Sequence, residues 1–270
     1  MQYENFEYEI RDGSVLVTML SPDTPSPSDL CDEFTDLLLR FQDDARVRAV
    51  LLTDGLHPFD LGADLEALAQ SHREGLDFGE LAPRIDGIRR LVTAIQEYPK
   101  PVVAAASGCV REGGFGLFLA ADCRLASASA TFQPPDAARG LMPEWGVIHA
   151  LPRLLGPGRT LELLWSGRTL DAREAASLGL VDRVIPEDAW DEELDMFARR
   201  LATLPQPVVR LIKLGAQQAV QFDLTSMLSF EWEAQQQCWD SRETAEGMQA
   251  YLENRAPDFR SSPSEEGDEA

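Results

Sequence analysis

Two short and almost uninterruptedly apolar runs constrain the fold more than any other feature of this chain. Val47–Thr53 and Pro101–Ala106 are both bounded by turn residues, a pattern typical of strands that are covered on both faces. Between them, apolar residues recur at helical spacing from Ile85 to Ile95, and the same spacing runs from Leu30 to Phe41. Because buried strands alternate with amphipathic helices, we expect an α/β fold.

The two ends of the chain differ from this central alternation. Apolar and polar residues alternate on either side of Asp12-Gly13, which predicts a β-hairpin. After Ala150, helical periodicity dominates as far as Glu253. We therefore predict an α/β core over residues 1–200, a helical region over 201–259 and, where apolar anchors are missing, a disordered acidic tail over 260–270.

The charge of the chain excludes several classes of partner. It has 46 acidic against 24 basic residues and a formal net charge of −22, so we expect no nucleic acid and no anionic membrane as partner.

No apolar run reaches the roughly 18 residues that cross a bilayer. Four scattered cysteines and three histidines indicate neither a disulfide framework nor a metal site, and the N-terminus resembles no secretory signal. A cytoplasmic location is expected.

Two glycine-containing segments lead directly into predicted helices. Phe59–Leu65 reads FDLGADL, and Ser107–Asp122 contains Gly113-Gly114 ahead of an apolar helix. Backbone N–H groups at a helix start are unpaired and can bind an anion. Each segment alone has a structural interpretation, a capped turn with Asp64 in the first and close helix packing in the second. Together they could supply the paired donors of an oxyanion hole.

A loop rich in proline and glycine, Phe132–Gly146, carries two carboxylates. Asp136 and Glu144 lie eight residues apart in it. Either one alone is typical of a solvated surface group, whereas two in one constrained loop are candidates for general acid and base. Trp145 follows Glu144 and either lines a pocket or belongs to the core.

The ordered series FDLGADLE, Gly-Gly-helix-AAD, ATFQPPDAARGLMPEWG, LPRLLG and SGRTLDAREAASLGLVDRVIP resembles the crotonase (enoyl-CoA hydratase/isomerase) superfamily over about Tyr8–Phe259. The resemblance implies a spiral of strand-strand-helix repeats followed by a helical trimerisation region, and hence a homotrimer or hexamer. It implies an acyl-CoA substrate, with CoA as part of the substrate and no other cofactor. It places the oxyanion donors at the N–H groups of Ala63 and Gly113, and the substrate pocket at Phe59, Leu61, Gly114, Gly116 and Trp145.

Departures from the family pattern bear on the reaction. Typical hydratases use two glutamates on one water, and the matching positions here hold Gly116 and Asp136. Glycine has no side chain with which to transfer a proton, so hydration is disfavoured. Glu144 occupies the loop position where dienoyl-CoA isomerases and aromatic dehalogenases of the superfamily carry an acidic residue. We therefore expect double-bond isomerisation in preference to hydration, with Asp136 and Glu144 as the proton-transfer groups.

Other readings of the sequence remain open. Many relatives have glycine where this chain has Glu112. The early basic signature for the CoA nucleotide is missing, which leaves Arg210, Lys213, Arg255 and Arg260 as candidates, each with an alternative as a solvated helix charge. These departures also fit a non-catalytic acyl-thioester-binding relative or subunit, and the scaffold supports decarboxylation or hydrolysis as well.

Overall fold

The structure is a computed structural model that describes residues 3–20, 27–55, 59–60 and 65–259. Its strands are β1 (Phe6–Arg11), β2 (Ser14–Met19), β3 (Ala49–Thr53), β4 (Phe59–Asp60), β5 (Val102–Ala106), β6 (Cys109–Arg111), β7 (Cys123–Ser127), β8 (Thr131–Gln133), β9 (Leu170–Asp171) and β10 (Arg183–Ile185). Its helices are α1 (Pro27–Gln42), α2 (Leu65–Arg73), α3 (Ala82–Glu97), α4 (Glu112–Ala120), α5 (Val147–Leu155), α6 (Pro157–Ser166), α7 (Ala172–Leu178), α8 (Trp190–Ala202), α9 (Gln206–Gln218), α10 (Leu224–Trp239) and α11 (Arg242–Leu252).

The described strands form two sheets. The larger has the order β1-β2-β3-β5-β7-β10, in which only the β1–β2 hairpin is antiparallel, and the smaller has the order β4-β6-β8-β9. The hairpin turns through Asp12 and Gly13, both at positive φ, as a two-residue turn between right-twisted strands requires. The hairpin and the α/β class are confirmed.

The chain alternates between the two sheets as it advances. β3, β5 and β7 each lie in the larger sheet, and the next strand in each case, β4, β6 or β8, lies in the smaller one. Helices follow each pair. This succession of strand, strand and helix is the spiral that the family resemblance implies, and it places the ends of β4, β6 and β8 next to one another.

The core is apolar on both sides of the larger sheet. Every residue of β3 and β5 is buried, as predicted for strands covered on both faces. The predicted helical positions Phe34, Leu91 and Ile95 are at most 1% exposed, because they lie on the inner stripes of α1 and α3. The burial of these stripes supplies the main driving force for placing both helices against the sheet.

Contacts between residues divide the chain into two units, 1–198 and 199–270. The first contains both sheets, and the second contains α9, α10 and α11. Within the second unit, Gly215 of α9 leaves room for the ring of Phe230 on α10, since a Cβ there would lie 2.8 Å from that ring. The predicted boundaries at 200/201 and 259/260 stay predictions, and residues 260–270 lie outside the described residues.

Candidate active site

The pairing of β4 with β6 places Phe59 and Asp60, the start of the first predicted oxyanion segment, beside the second segment. Asp60 pairs with Arg111 in parallel register, and the Arg111 Nε atom donates to the Asp60 Oδ2 atom at 2.7 Å. Asp60 and Arg111 thus end their strands side by side at one edge of the smaller sheet, and Arg111 leads directly into α4. Ala63 and its neighbour Leu61 lie outside the described residues, and their roles stay predictions.

The first turn of α4 presents its backbone to this edge. The helix begins at Glu112, and Gly113 and Gly114 are both buried. N–H groups in the first turn of a helix have no carbonyl partner within that helix, and Gly113 lies in the first turn of α4. Its role as an oxyanion donor stays a prediction. Gly114 serves another purpose: a Cβ atom there would lie 1.9 Å from the Phe59 carbonyl oxygen.

Gly114→Ala is therefore expected to destabilise the protein, because the added methyl meets backbone that cannot rotate away. We expect a loss at or above the ~1–3 kcal/mol that overpacking costs, measured as the free energy of unfolding in denaturant. The matched control is Gly158→Ala in α6, where the Cβ would meet no atom within 4 Å. That variant should be neutral or slightly stabilising, and equal losses in the two variants would refute the close contact at Gly114.

A cavity of about 550 Å³ opens beside the start of α4. Within the described ranges it brings together four of the predicted site residues, Gly113, Asp136, Glu144 and Trp145. Its wall is completed by Leu68, Ser71, His72, Leu76, Asp77, Glu80, Arg84, Ile85, Glu112, Pro135, Arg139, Gly140, Leu141, Met142 and Pro143. Such a pocket, apolar with a few convergent charged groups, is typical of a small-molecule site.

Three of the predicted pocket residues stand behind this wall. Phe59 is 1% exposed, and its ring packs edge-on against Phe118. Gly114 lies against the Phe59 backbone and Gly116 against Trp145. Among the described residues, these three shape the cavity through what packs on them and do not line it.

Asp136 is held in place by the turn that it begins. Its Oδ1 atom accepts a hydrogen bond from the Ala138 N–H at 2.8 Å and so caps the 3₁₀ turn Ala137–Arg139. On the other side it meets Gly167, where a Cβ would lie 2.7 Å from the Asp136 Cγ atom and the backbone φ is +60°. The Asp136 carboxylate is thus fixed at the cavity wall by a cap and by close packing.

Glu144 is oriented by an arginine from a distant helix. The Arg84 Nη2 atom on α3 donates to the Glu144 Oε2 atom at 2.8 Å, across 60 residues of sequence. The side chains of Arg84 and Glu144 are 18% and 37% exposed, so the pair lies at the cavity surface and is open to solvent and ligand. Sequence reasoning missed Arg84, because its position on the helix gives no signal that separates it from a solvent-facing arginine.

Trp145 occupies the space that a side chain at position 116 would need. A Cβ atom built on Gly116 would lie 2.2 Å from the Trp145 Cβ and 3.2 Å from its Cγ. Trp145 is 4% exposed and lies at φ +58°. The tryptophan is therefore both buried and a wall of the cavity, and no carboxylate fits at position 116 while it stays there.

The sequence matches a known family over nearly its whole length. The sequence model of the family described as "Enoyl-CoA hydratase/isomerase" covers residues 13–262. The chain belongs to the enoyl-CoA hydratase/isomerase family. The resemblance to the crotonase superfamily is confirmed by this match.

Relatives and solved structures of the enoyl-CoA hydratase/isomerase family agree with this assignment. Crotonyl-CoA hydratase of Syntrophomonas wolfei is 32% identical over 263 residues, covering 96% of this chain and 99% of the relative. Human enoyl-CoA hydratase domain-containing protein 2, mitochondrial, is 34% identical over 84% of this chain and 78% of its own. A crystal structure of enoyl-CoA hydratase subunit I from Geobacillus kaustophilus superposes with a TM-score of 0.84 at 30% identity, over 96% and 99% of the two chains.

Two of the candidate nucleotide-binding cations, Arg255 and Arg210, have carboxylate or amide partners. Arg255 pairs with Glu246 and Glu253, the nearest contact to each being 2.6 Å, and Arg210 donates to Gln237. Arg260 lies outside the described residues. Arg255 would thus have to exchange its carboxylate partners for phosphate.

In the described part of the chain, no helix has the length and apolar character of a membrane span. The same residues contain no group of three or more histidine, cysteine or acidic side chains placed to hold a metal ion.

Proposed function

We propose that the protein isomerises the double bond of an enoyl-CoA thioester through an enolate. The N–H groups of Ala63 and Gly113 stabilise the enolate oxygen, and Asp136 and Glu144 remove a proton from one carbon and return one to another. CoA enters as part of the substrate and no other cofactor takes part. The active form is a homotrimer or hexamer, as the family resemblance implies, and it is located in the cytoplasm.

The observation that carries this proposal is the packing of Trp145 against Gly116. Trp145 fills the space beside Gly116, the position where the family resemblance implies the first hydratase glutamate, whereas Glu144, the residue directly before Trp145, lines the cavity together with Asp136. The two carboxylates proposed for proton transfer therefore both come from the loop of residues 134–146. Two carboxylates that approach a substrate from one loop suit the transfer of a proton between the α and γ carbons of an acyl chain.

Hydration is the second candidate, and the names of relatives favour it. Both curated relatives described above carry hydratase names. In this chain a hydratase would need Glu144 to replace the missing glutamate in activating water. The two candidates therefore use the same residues and differ in whether water adds to the product.

The deciding experiment supplies matched 2-enoyl-CoA and 3-enoyl-CoA esters to the full chain in deuterated water. We expect interconversion of the two esters, with deuterium entering at the α or γ carbon and little 3-hydroxyacyl-CoA. Accumulation of 3-hydroxyacyl-CoA as the main product would refute isomerisation and identify the protein as a hydratase. Thioester binding without exchange or turnover would identify a non-catalytic binding protein and refute both activities.

The charge of the cavity predicts a preference for uncharged acyl chains. Among the described lining residues there are five carboxylates and two guanidinium groups, and both arginines are already paired with a carboxylate. We expect an enoyl-CoA that ends in a carboxylate to show about tenfold lower kcat/KM than its methyl-ended counterpart, or ~1.4 kcal/mol. Repulsion between like charges at ~4 Å in a partly screened site accounts for this much.

Steady-state kinetics on the two esters checks this preference. Glu80, an exposed carboxylate of the cavity wall, should contribute to this preference. Both Glu80→Gln and added salt should therefore reduce the difference in kcat/KM between the two esters. Equal kcat/KM values for the two esters at low salt would contradict the electrostatic account.

A further inference from the structure

Two residues at the cavity have a backbone conformation that their side chains disfavour. Four described residues other than glycine have positive φ: Asp12, Glu112, Trp145 and Asn254. Asp12 lies in a hairpin turn and Asn254 follows a helix end, where these residue types adopt the left-handed region readily. Glu112, at φ +52°, and Trp145, at φ +58°, are not of these types. Such outliers cluster at functional sites.

The strained position of Glu112 adjoins the proposed oxyanion donor. Glu112 directly precedes Gly113 and is the first residue of α4. Glycine would adopt this φ without strain, so what glutamate adds here is its side chain. That side chain is 18% exposed and pairs with the guanidinium of Arg139, which is 31% exposed.

The pair connects two parts of the site that are far apart in sequence. Arg139 ends the 3₁₀ turn that Asp136 caps, and it lies 27 residues beyond Glu112. The ion pair therefore ties the loop that carries Asp136 to the helix turn that carries Gly113. On the other side of the cavity, the Arg84–Glu144 pair connects the same loop to α3.

The charge of Glu112 has a second consequence. A carboxylate next to an oxyanion donor opposes the negative charge that develops on an enolate oxygen, unless a cation compensates it. Arg139 is that cation in this structure. The pair can thus set both the geometry and the electrostatic balance at the donor.

We propose that Glu112 and Arg139 are a positioning pair for the reaction: they hold the Asp136 loop against the Gly113 turn, and Arg139 neutralises Glu112 beside the enolate. This inference rests on the proposed function. It predicts an asymmetry, because losing Arg139 removes the tie and also leaves an unpaired carboxylate at the donor, whereas losing the charge of Glu112 removes only the tie.

The test compares Arg139→Met, Glu112→Gln and the double variant by solvent-deuterium exchange into an enoyl-CoA and by kcat and KM. Arg139→Met should lower kcat roughly tenfold or more, below the ~10²–10³-fold effect of deleting a direct oxyanion donor. Glu112→Gln should have a smaller effect, and the double variant should be more active than Arg139→Met alone. The control Arg183→Met breaks another partly buried ion pair, with Glu193 and outside the cavity lining, and should leave kcat unchanged.

A merely structural role would give no rescue in the double variant, and a role in holding substrate would raise KM and leave kcat unchanged; either outcome overturns the proposal. Amide hydrogen exchange in the absence of substrate provides an independent readout. Arg139→Met should speed exchange in residues 134–146, and unchanged exchange there refutes the tie whether or not the enzyme turns over. If Arg139→Met speeds amide exchange in residues 134–146 but the wild-type protein incorporates no deuterium into an enoyl-CoA, the proposed function is refuted, and with it the catalytic part of this inference.

Discussion

Glu144→Gln is expected to lower isomerisation by about 10²–10⁴-fold, the range that a positioned general acid or base contributes. The substitution keeps the size of the side chain and an oxygen that can still accept from Arg84, which now approaches at 2.8 Å. It removes the ability to take up and return a proton. Because the change is local, kcat should fall far more than KM changes.

The stability of this variant should stay close to that of the wild type. The Glu144 side chain is 37% exposed, and partly exposed ion pairs contribute only about 0–1 kcal/mol. The matched control is Glu162→Gln, since Glu162 forms a similar pair with Arg168, at 2.9 Å, away from the cavity lining. Rapid kinetics and thermal denaturation on both variants distinguish a loss of catalysis from a loss of stability. Comparable activity in the two variants would show that Glu144 does not take part in proton transfer.

Most of the helices and four strands of the larger sheet, β1, β2, β3 and β5, could be predicted because their sequence patterns are long enough to read. Leu91 and Ile95 recur over a helix of 16 residues, and their burial follows from that period. The smaller sheet could not be predicted. Its strands contain two or three residues each, too few to show an alternation of period two. Those strands form because the loops of successive repeats meet in space.

The same distinction between local and distant information applies to the site. Gly113 and the carboxylates of the 134–146 loop could be proposed from sequence, because helix starts and constrained loops have local signatures. Arg84 and Arg139 could not, since each acquires its role from a partner 60 or 27 residues away. The contact of Gly116 with Trp145 was equally hidden, because a glycine in an apolar helix indicates close packing without naming the neighbour.

That contact makes Gly116→Glu a disruptive substitution, although it restores the residue type that the family resemblance implies for typical hydratases. The new Cβ would lie 2.2 Å from the Trp145 Cβ and 3.1 Å from its carbonyl oxygen, so both the side chain and the backbone of Trp145 must move. We expect a loss of at least the ~1–3 kcal/mol of overpacking. Isomerisation should fall as well, because Glu144 is covalently attached to the displaced residue.

Trp145→Gly combined with Gly116→Glu tests whether the two positions share one space. Glycine accepts the φ of +58° at position 145, and the ring that leaves makes room for the new carboxylate. Trp145→Gly alone should cost about 3–5 kcal/mol, as loss of a buried aromatic side chain does. If the space is shared, the double variant should be more stable than the sum of the single losses predicts, by 0.5–3 kcal/mol, and should gain hydration of 2-enoyl-CoA relative to isomerisation. Strictly additive losses of unfolding free energy would show that Trp145 does not occupy the place of a hydratase glutamate.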